Sequence, residues 1–154
     1  MCIRDRIKNR MKTQTIGYDK INQLRHAKFL KNMDGVGAHM KKHAAIIAPK
    51  FDVVLKAFNT ELGGKGIAEW TNPNGGYFIS LNVLNGCAKR TVELCKEAGV
   101  VLTPAGATYP YGKDPDDSNI RIAPTFPPVE ELELAVDLLC TSVQLAAAEK
   151  LLAE

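Results

Sequence analysis

The sequence lacks the features that mark several large classes of protein. Among its 154 residues only 6% are aromatic, the four cysteines form no CxxC pair, and no apolar run approaches the ~18–20 residues of a membrane helix. Twelve glycines and eight prolines are too few for a collagen, and 45% hydrophobic residues are too many for a disordered tail. A chain of this length buries roughly 68–70% of its unfolded surface, so we expect a sizeable core that needs no disulfide or metal.

The N-terminus also lacks the apolar segment that a signal peptide needs after its basic residues. Proteins that stay in the cytoplasm keep their thiols reduced. We therefore expect a cytoplasmic protein whose cysteines are buried, reduced thiols. These are Cys2, Cys87, Cys95 and Cys140.

The charge is spread unevenly along the chain. Residues 1–50 carry twelve lysines and arginines against three aspartates, a net charge of +9, and the remaining residues carry −6, which gives the overall +3. A basic half can bind nucleic acid, but these charges are scattered and no aromatic residues alternate with them. We therefore expect neither a nucleic-acid nor a membrane partner, and interpret the basic half as a surface that meets an acidic partner or another part of the same protein.

Hydrophobic periodicity predicts an α+β fold in which a small mixed sheet is packed with helices. A short helix is predicted over 19–31 and a long one over 34–64, with a kink at Pro49 because proline interrupts helical hydrogen bonding. Strands are predicted at 67–70, 77–83, 100–103 and 119–123. Two more helices are predicted over 87–98 and from Val129 to about Leu152, on either side of a long polar loop over 104–118.

The same pattern divides the chain into four parts. Residues 1–6 match nothing that follows, and we interpret them as an artefactual start. Residues 7–33, with the short helix, are interpreted as the remnant of a larger preceding domain or a linker. Residues 34–64 are the long kinked connector helix, and residues 65–154 are the small α+β domain.

Two motifs that often carry chemistry are incomplete here. His39 and His43 are four residues apart on the predicted long helix, but the glutamate of a zinc-protease motif is missing and two lysines lie between them. A solvated helix face is therefore the favoured interpretation, and no metal site is predicted. The segment 64–66 lacks the residues that a phosphate loop needs on either side of its lysine, so it is interpreted as a turn.

Arg121 is a lone cation within the predicted strand at 119–123. An unpaired charge in a packed layer costs several kcal/mol, so the guanidinium needs a partner. Its planar fork suits a carboxylate, which it binds through two parallel hydrogen bonds. From this pattern alone, an ion pair with an Asp or Glu of the protein, or a solvent-facing position, is favoured over a ligand-binding role.

Five segments, in this order, resemble one family. They are Thr15–His26 (TIGYDKINQLRH), His39–Lys50 (HMKKHAAIIAPK), Asn72–Phe78 (NPNGGYF), Leu102–Gly112 (LTPAGATYPYG) and Asn119–Pro127 (NIRIAPTFP). Together they resemble the C-terminal part of the class I/II pyridoxal-phosphate aminotransferases, in the branch of MocR-like aspartate aminotransferases. The resemblance runs from about Ile7 to the end of the chain.

The resemblance implies a fold-type-I enzyme that transfers an amino group between an amino acid, aspartate-like by family likeness, and a 2-oxo acid. Such enzymes are usually homodimers that carry pyridoxal 5′-phosphate. This chain would be the small, substrate-clamping domain, and an N-terminal large domain would be its missing partner. The Schiff-base lysine of the family lies upstream, and no lysine here has its setting. The resemblance therefore implies no catalytic residue in this chain and no activity for the chain alone.

Arg121 matches the arginine that holds the substrate α-carboxylate in this family, which reverses the interpretation drawn from the strand pattern. The resemblance also implies two groups of residues that line the site. Thr15 and Asn22 would approach the cofactor phosphate of the neighbouring subunit. The second group would lie near the site entrance and consists of Asn74, Gly75, Gly76, Thr108 and Tyr109.

Two other hypotheses stay open. A stand-alone α+β ligand-binding or regulatory module without catalysis would unfold cooperatively and expose no large apolar face. A basic nucleic-acid binder, the third hypothesis, would bind any duplex with a steep salt dependence. The aminotransferase hypothesis predicts instead a large apolar patch along the helix from Val36 to Leu62, where the rest of the enzyme would pack.

Overall fold

The computed structural model describes residues 3–15 and 17–153. Its contacts divide the chain into two compact units, the first ending at His43 and the second beginning at Ala44, and each is described by itself. The helices are α1 (Ile3–Gln14), α2 (Lys20–Leu30), α3 (Met33–Glu61), α4 (Ala88–Glu97) and α5 (Val129–Ala153). The strands are β1 (Ala68–Trp70), β2 (Ile79–Val83) and β3 (Asn119–Ile122), and a 3-10 turn spans Pro110–Gly112.

The first unit contains α1, α2 and the beginning of α3, and none of the described residues of α1 or α2 is buried. Asp19 starts α2, because its Oδ1 accepts a hydrogen bond from the backbone N–H of Asn22 at 2.8 Å. The helix predicted over 19–31 is confirmed to within one residue at each end. Helix α1 was not predicted, although Ile3, Ile7 and Met11 recur every four residues along it.

Helix α3 runs from Met33 to Glu61 and contains Pro49, close to the predicted 34–64. Its first half leaves Met40 and Ile46 exposed by 65% and 67%. From Phe51 onward, side chains three or four residues apart enter the core, so this half of the helix is amphipathic. The buried side chains are Phe51, Val54 and Phe58, followed by Leu62 just beyond the helix.

The sheet places β2 between β1 and β3, and β2 pairs antiparallel with both neighbours. Ser80 of β2 lies opposite Arg121 of β3, and Asn82 lies opposite Asn119. Because side chains alternate across a strand, one face of the sheet is apolar and buried and the other is polar. The apolar face carries Ile79, Leu81, Val83, Ile120 and Ile122, and the polar face carries Ser80, Asn82, Asn119 and Arg121.

The predicted α+β class is confirmed, but the sheet is antiparallel at both of its pairings and is not the mixed sheet that was expected. The strand predicted at 100–103 does not form. Gly99 takes a left-handed φ of 94°, and the N–H of Val100 then donates to the carbonyl of Cys95 at 2.8 Å. This bond closes the end of α4, so the segment completes a helix end and does not enter the sheet.

The second unit has one core, which α3, α4, α5 and the apolar face of the sheet share. The rings of Phe58 and Trp70 have their centroids 5.5 Å apart and join α3 to β1. Helix α5 contributes one face, which includes Val136, Leu139 and Val143. None of the helices in the described part of the chain is both long and apolar enough to cross a membrane.

Three of the cysteines are buried, as expected: Cys87, Cys95 and Cys140. Cys2 lies outside the described residues. Burial raises the pKa of the Cys140 thiol to about 12, and nearby carboxylates add to the effect. Such a thiol is not nucleophilic at neutral pH, so Cys140 acts as a small apolar core residue.

Candidate functional site

Arg121 lies on the polar face of the sheet and is half-buried. Strand alternation puts it there, since its neighbours Ile120 and Ile122 enter the core. Within residues 3–15 and 17–153, no carboxylate oxygen lies within 4.0 Å of its guanidinium nitrogens. An ion pair inside the described part of the chain therefore does not account for this arginine.

The guanidinium of Arg121 stacks on an aromatic ring. Its Cζ lies 4.6 Å from the centroid of the Phe78 ring, within the range of a cation–π contact. The Nε atom is buried and has no hydrogen-bond partner among the described residues. The terminal nitrogens Nη1 and Nη2 also donate to no described residue, so the end of the planar fork retains its donors for an acceptor.

Arg90, on α4, gives the contrast within the same unit. Its Nε and Nη2 donate to the two carboxylate oxygens of Glu149 at 2.8 and 3.0 Å, and its Nη1 donates to Glu93 at 2.9 Å. Hydrogen bonds to Glu149 and Glu93 raise the pKa of the Arg90 guanidinium, and Arg90 lowers the pKa of the Glu149 carboxyl. The charge of Arg90 is neutralised by Glu149 and Glu93. Arg121 has no such partner among the described residues and can bind an anion from outside them.

A buried amide next to Arg121 organises the rest of the polar face. Asn119 is 8% exposed, and its Nδ2 donates to Ser80 Oγ at 2.8 Å and to Asn82 Oδ1 at 2.6 Å. Its Oδ1 accepts a hydrogen bond from Thr108 Oγ1 at 2.7 Å. Thr108, one of the residues implied near the site entrance, is thus fixed to the strand that carries Arg121.

The loop that contains Thr108 is held by a carboxylate. Asp114 accepts backbone N–H groups of Ser118 and Asn119 at 2.8 Å each and that of Asp116 at 3.1 Å. Burial acts to raise the pKa of the Asp114 carboxyl, but these backbone hydrogen bonds outweigh it and lower the pKa below its ordinary value. The same loop brings Gly106 close to the carbonyl of Gly112, where a Cβ would lie 2.6 Å from that oxygen.

The turn between β1 and β2 contains the other residues implied at the entrance, and all three are exposed: Asn74, Gly75 and Gly76. Gly76 has a φ of 93°, which favours glycine. The chain leaves this turn through Tyr77 and Phe78 and enters β2. The structure therefore places the turn two residues before the ring that contacts Arg121, while Tyr109, in the 104–118 loop, is exposed by 37%.

Thr15 and Asn22 lie in the first unit. The hydroxyl of Thr15 donates to the carbonyl of Gly17 at 2.6 Å, and Ile16 between them lies outside the described residues. Asn22 is exposed at the start of α2, and its carbonyl contacts Nδ1 of His26 at 2.8 Å. Their implied role at a cofactor phosphate stays a prediction.

The histidine pair on α3 is close in space. The Nε2 atoms of His39 and His43 are 3.1 Å apart, and the His39 ring packs edge-on against Phe29 with centroids 5.2 Å apart. Within the described ranges, no group of three or more His, Cys, Asp and Glu side chains could hold a metal ion. One imidazole N–H donating to the other ring accounts for the distance.

Three residues of this region were missed from the sequence. Phe78 lies two residues before Ser80, and Asn119 lies two residues before Arg121, so strand alternation puts both on the polar face. This alternation is the sequence signal that could have identified them. Lys50 gave no such signal, because its partner is distant in sequence. Its Nζ donates to the carbonyl of Thr125 at 2.8 Å and so fixes the segment that follows β3 to helix α3.

The sequence from residue 4 to residue 154 matches the family model described as aspartate amino-transferase. The chain belongs to the aspartate amino-transferase family. A curated relative, an aspartate aminotransferase of Corynebacterium glutamicum, is 54% identical over 134 residues. The matched segment is 87% of this chain and 31% of that relative.

Solved structures of aminotransferases share the fold. An aspartate transaminase from Corynebacterium glutamicum matches with a TM-score of 0.88 at 50% identity, over 96% of this chain and 35% of that one. An alpha-aminoadipate aminotransferase from Thermus thermophilus, complexed with N-(5′-phosphopyridoxyl)-L-leucine, matches with a TM-score of 0.70 over 89% of this chain and 34% of that one. At 19% identity, this second match shows the fold alone. This member of the aspartate amino-transferase family spans about a third of the length of the relatives it matches.

Proposed function

We propose that this chain is the C-terminal, substrate-clamping part of a pyridoxal-phosphate aminotransferase, and that Arg121 binds the α-carboxylate of the amino acid. The observation that carries the proposal is the Arg121 guanidinium, which lies against Phe78 with no acidic partner in the described residues. Family membership supports the reaction class, in which an amino group passes between an amino acid and a 2-oxo acid. An aspartate-like substrate and the MocR-like branch are narrower parts of the same proposal.

The chemistry of a guanidinium suits this role. A carboxylate accepts two parallel N–H bonds from the planar fork, and each hydrogen bond to a charged group contributes roughly 1.5–3 kcal/mol. Two bonds fix the plane of the carboxylate as well as its position, and so they orient the substrate carbon next to it. We assign the entrance to the two loops beside Arg121, with Asn74, Gly75 and Gly76 on one and Thr108 and Tyr109 on the other.

Pyridoxal phosphate needs a lysine amine for attachment, and when bound it supplies the electron sink of the reaction. The described residues do not fit that role. Their lysines are exposed except Lys50 and Lys150, which are half-buried and donate to backbone carbonyls of Thr125 and Asn85. We therefore assign the cofactor and its lysine to the rest of the parent enzyme, and infer that the isolated chain is inactive.

The proposal extends to the assembly and location of the parent enzyme. In it, residues 7–33 and the connector helix at 34–64 join the small domain at 65–154 to a large N-terminal domain. The parent is a cytoplasmic homodimer in which Thr15 and Asn22 approach the cofactor phosphate of the neighbouring subunit. The exposure of Ile21 and Phe29, by 77% and 68%, supports a missing neighbour for the first unit.

The test compares the isolated chain with a chimera. The segment of the Corynebacterium glutamicum aspartate aminotransferase that aligns with this chain is replaced by residues 7–154, and both proteins are assayed with pyridoxal phosphate, L-aspartate and 2-oxoglutarate. We expect turnover by the chimera and none by the isolated chain. Turnover by the isolated chain would contradict the assignment of the lysine to another part of the enzyme.

The stand-alone binding or regulatory module is the second candidate. It predicts that the isolated chain unfolds cooperatively, exposes little apolar surface to a dye such as ANS, and binds a ligand without the Arg121 guanidinium. The exposed side chains of Met40 and Ile46 on α3 argue against this candidate, because a stand-alone module is expected to expose little apolar surface. An inactive but correctly folded chimera would favour it.

A further inference from the structure

The position of Phe78 relative to Arg121 follows from the register of the sheet. Ser80 is the direct partner of Arg121, and Phe78 precedes Ser80 by two residues, so Phe78 is the diagonal neighbour of Arg121 on the same face. Diagonal neighbours in an antiparallel pair are about 7–8 Å apart at their backbones, within reach of an aromatic and a long side chain. The 4.6 Å between Cζ and the ring centroid is the contact that results.

The contact changes which part of the guanidinium can bind. A carboxylate can approach an arginine from the side, through Nε and one Nη, or from the end, through Nη1 and Nη2. In Arg121 the Nε atom is buried without a partner, which closes the side approach, while Nη1 and Nη2 donate to no described residue. Arg90 shows the opposite arrangement, because Glu149 contacts its Nε and Nη2 from the side.

We propose that Phe78 is a positioning residue for Arg121, which it holds so that a substrate carboxylate binds end-on to Nη1 and Nη2. This inference rests on the proposed carboxylate role of Arg121. The positioning role also gives a reason for the turn before β2. Gly76, with its φ of 93°, sets the direction of the chain as it enters β2 and so places Phe78 beside Arg121. The ring replaces the acidic partner that fixes Arg90, and it does so without occupying the terminal nitrogens.

The test uses the full chain with ¹⁵N-labelled arginine, L-aspartate as the probe, and sodium chloride at matched ionic strength as the control for screening. The variants are Phe78→Leu, which removes the π-system, and Phe78→Tyr, which keeps it. Tyr77→Leu is the matched control, because Tyr77 is also exposed by about half and has the opposite parity on the strand. Phe78 itself is 48% exposed, so its replacement leaves the core intact.

In the wild-type chain we expect a ring-current shift of the Arg121 Nε–H signal, and L-aspartate should shift the Nη signals and leave Nε nearly unchanged. Phe78→Leu should remove the ring-current shift and weaken L-aspartate binding roughly two- to tenfold, the factor that corresponds to ordering one side chain that the ring no longer holds. Phe78→Tyr should restore both, and Tyr77→Leu should change neither.

The outcomes separate this inference from the function on which it rests. Equal binding of L-aspartate by the wild-type chain and Phe78→Leu would overturn the positioning role and leave the carboxylate role of Arg121 standing. A shift of Nε as large as that of Nη would overturn end-on binding. If L-aspartate shifts neither signal in the wild-type chain while the ring-current shift is present, the carboxylate role is overturned and the Phe78 contact is not.

Discussion

The replacement Arg121→Met is the most informative change that the structure suggests for stability. Methionine has a similar length and fills the same space, but it has no N–H group. A buried donor without a partner costs about 1–3 kcal/mol, and the Nε atom of Arg121 is such a donor. The lost cation–π contact with Phe78 contributes about 0.5–1 kcal/mol in the other direction. We therefore expect Arg121→Met to stabilise the chain, by up to about 2.5 kcal/mol.

The assay is urea unfolding followed by circular dichroism, with thermal unfolding as a second reading. For a chain of this size each kcal/mol shifts the Tm by roughly 2–4 °C, so the Tm should rise by a few degrees. Arg90→Met is the matched control and should lower stability, because it removes the hydrogen bonds to Glu149 and Glu93. A loss of stability in Arg121→Met as large as that in Arg90→Met would refute the reasoning, since it would show that Arg121 has a structural partner.

Three further predictions concern the loop and the core. Gly106→Ala should lower the free energy of unfolding by about 1–2 kcal/mol or more, because the φ of Gly106 is 82° and the new Cβ would lie 2.6 Å from the Gly112 carbonyl oxygen. Gly75→Ala is the control: a Cβ there has nothing within 4 Å, so the free energy of unfolding should change by less than about 0.5 kcal/mol. Because folding lowers the pKa of the Asp114 carboxyl, its contribution to stability is present above the ordinary pKa of 3.8 and is lost as the pH falls through the lower, folded-state pKa. Asp114→Asn should therefore reduce the stability at pH 6 and flatten the loss of stability between pH 4 and pH 2. An acid unfolding curve that is the same as that of the wild-type chain would contradict this. The thiol of Cys140, with a pKa raised to about 12, should resist iodoacetamide at pH 8 until the chain is unfolded, as peptide mass spectrometry would show, and rapid labelling of the folded chain would contradict its burial.

Much of the second unit was predictable because local pattern and burial agree there. The period-2 alternation of Ile120 and Ile122 with Arg121 predicted β3, while the face on which the arginine lies was left open. The spacing of Phe51, Val54 and Phe58 likewise predicted this part of α3, although the apolar patch expected along the helix from Val36 to Leu62 is buried in the core from Phe51 onward. In both cases the side chains that form the core also produce the periodic signal in the sequence.

The failures have a common physical cause, since each depends on a partner that the local pattern does not contain. The segment 100–103 has the composition of a strand, but the bond from Val100 to Cys95 commits its first residue to the end of α4. The contact of Phe78 with Arg121 depends on strand register across 43 residues of sequence, which only the folded sheet fixes. Helix α1 buries no described residue, so its apolar periodicity gave no evidence of a core.

The account depends most directly on what Arg121 binds, and the chimera with the Corynebacterium glutamicum enzyme measures this. Arg121→Lys keeps the charge but loses one of the two parallel hydrogen bonds to a carboxylate. We expect kcat/KM for L-aspartate to fall about 10- to 100-fold, which corresponds to roughly 1.5–3 kcal/mol for one charge-assisted bond, while the cofactor content stays the same. Arg90→Lys, on the surface of α4, should leave kcat/KM unchanged. An Arg121→Lys chimera with wild-type kcat/KM would contradict the central claim that Arg121 holds the substrate carboxylate.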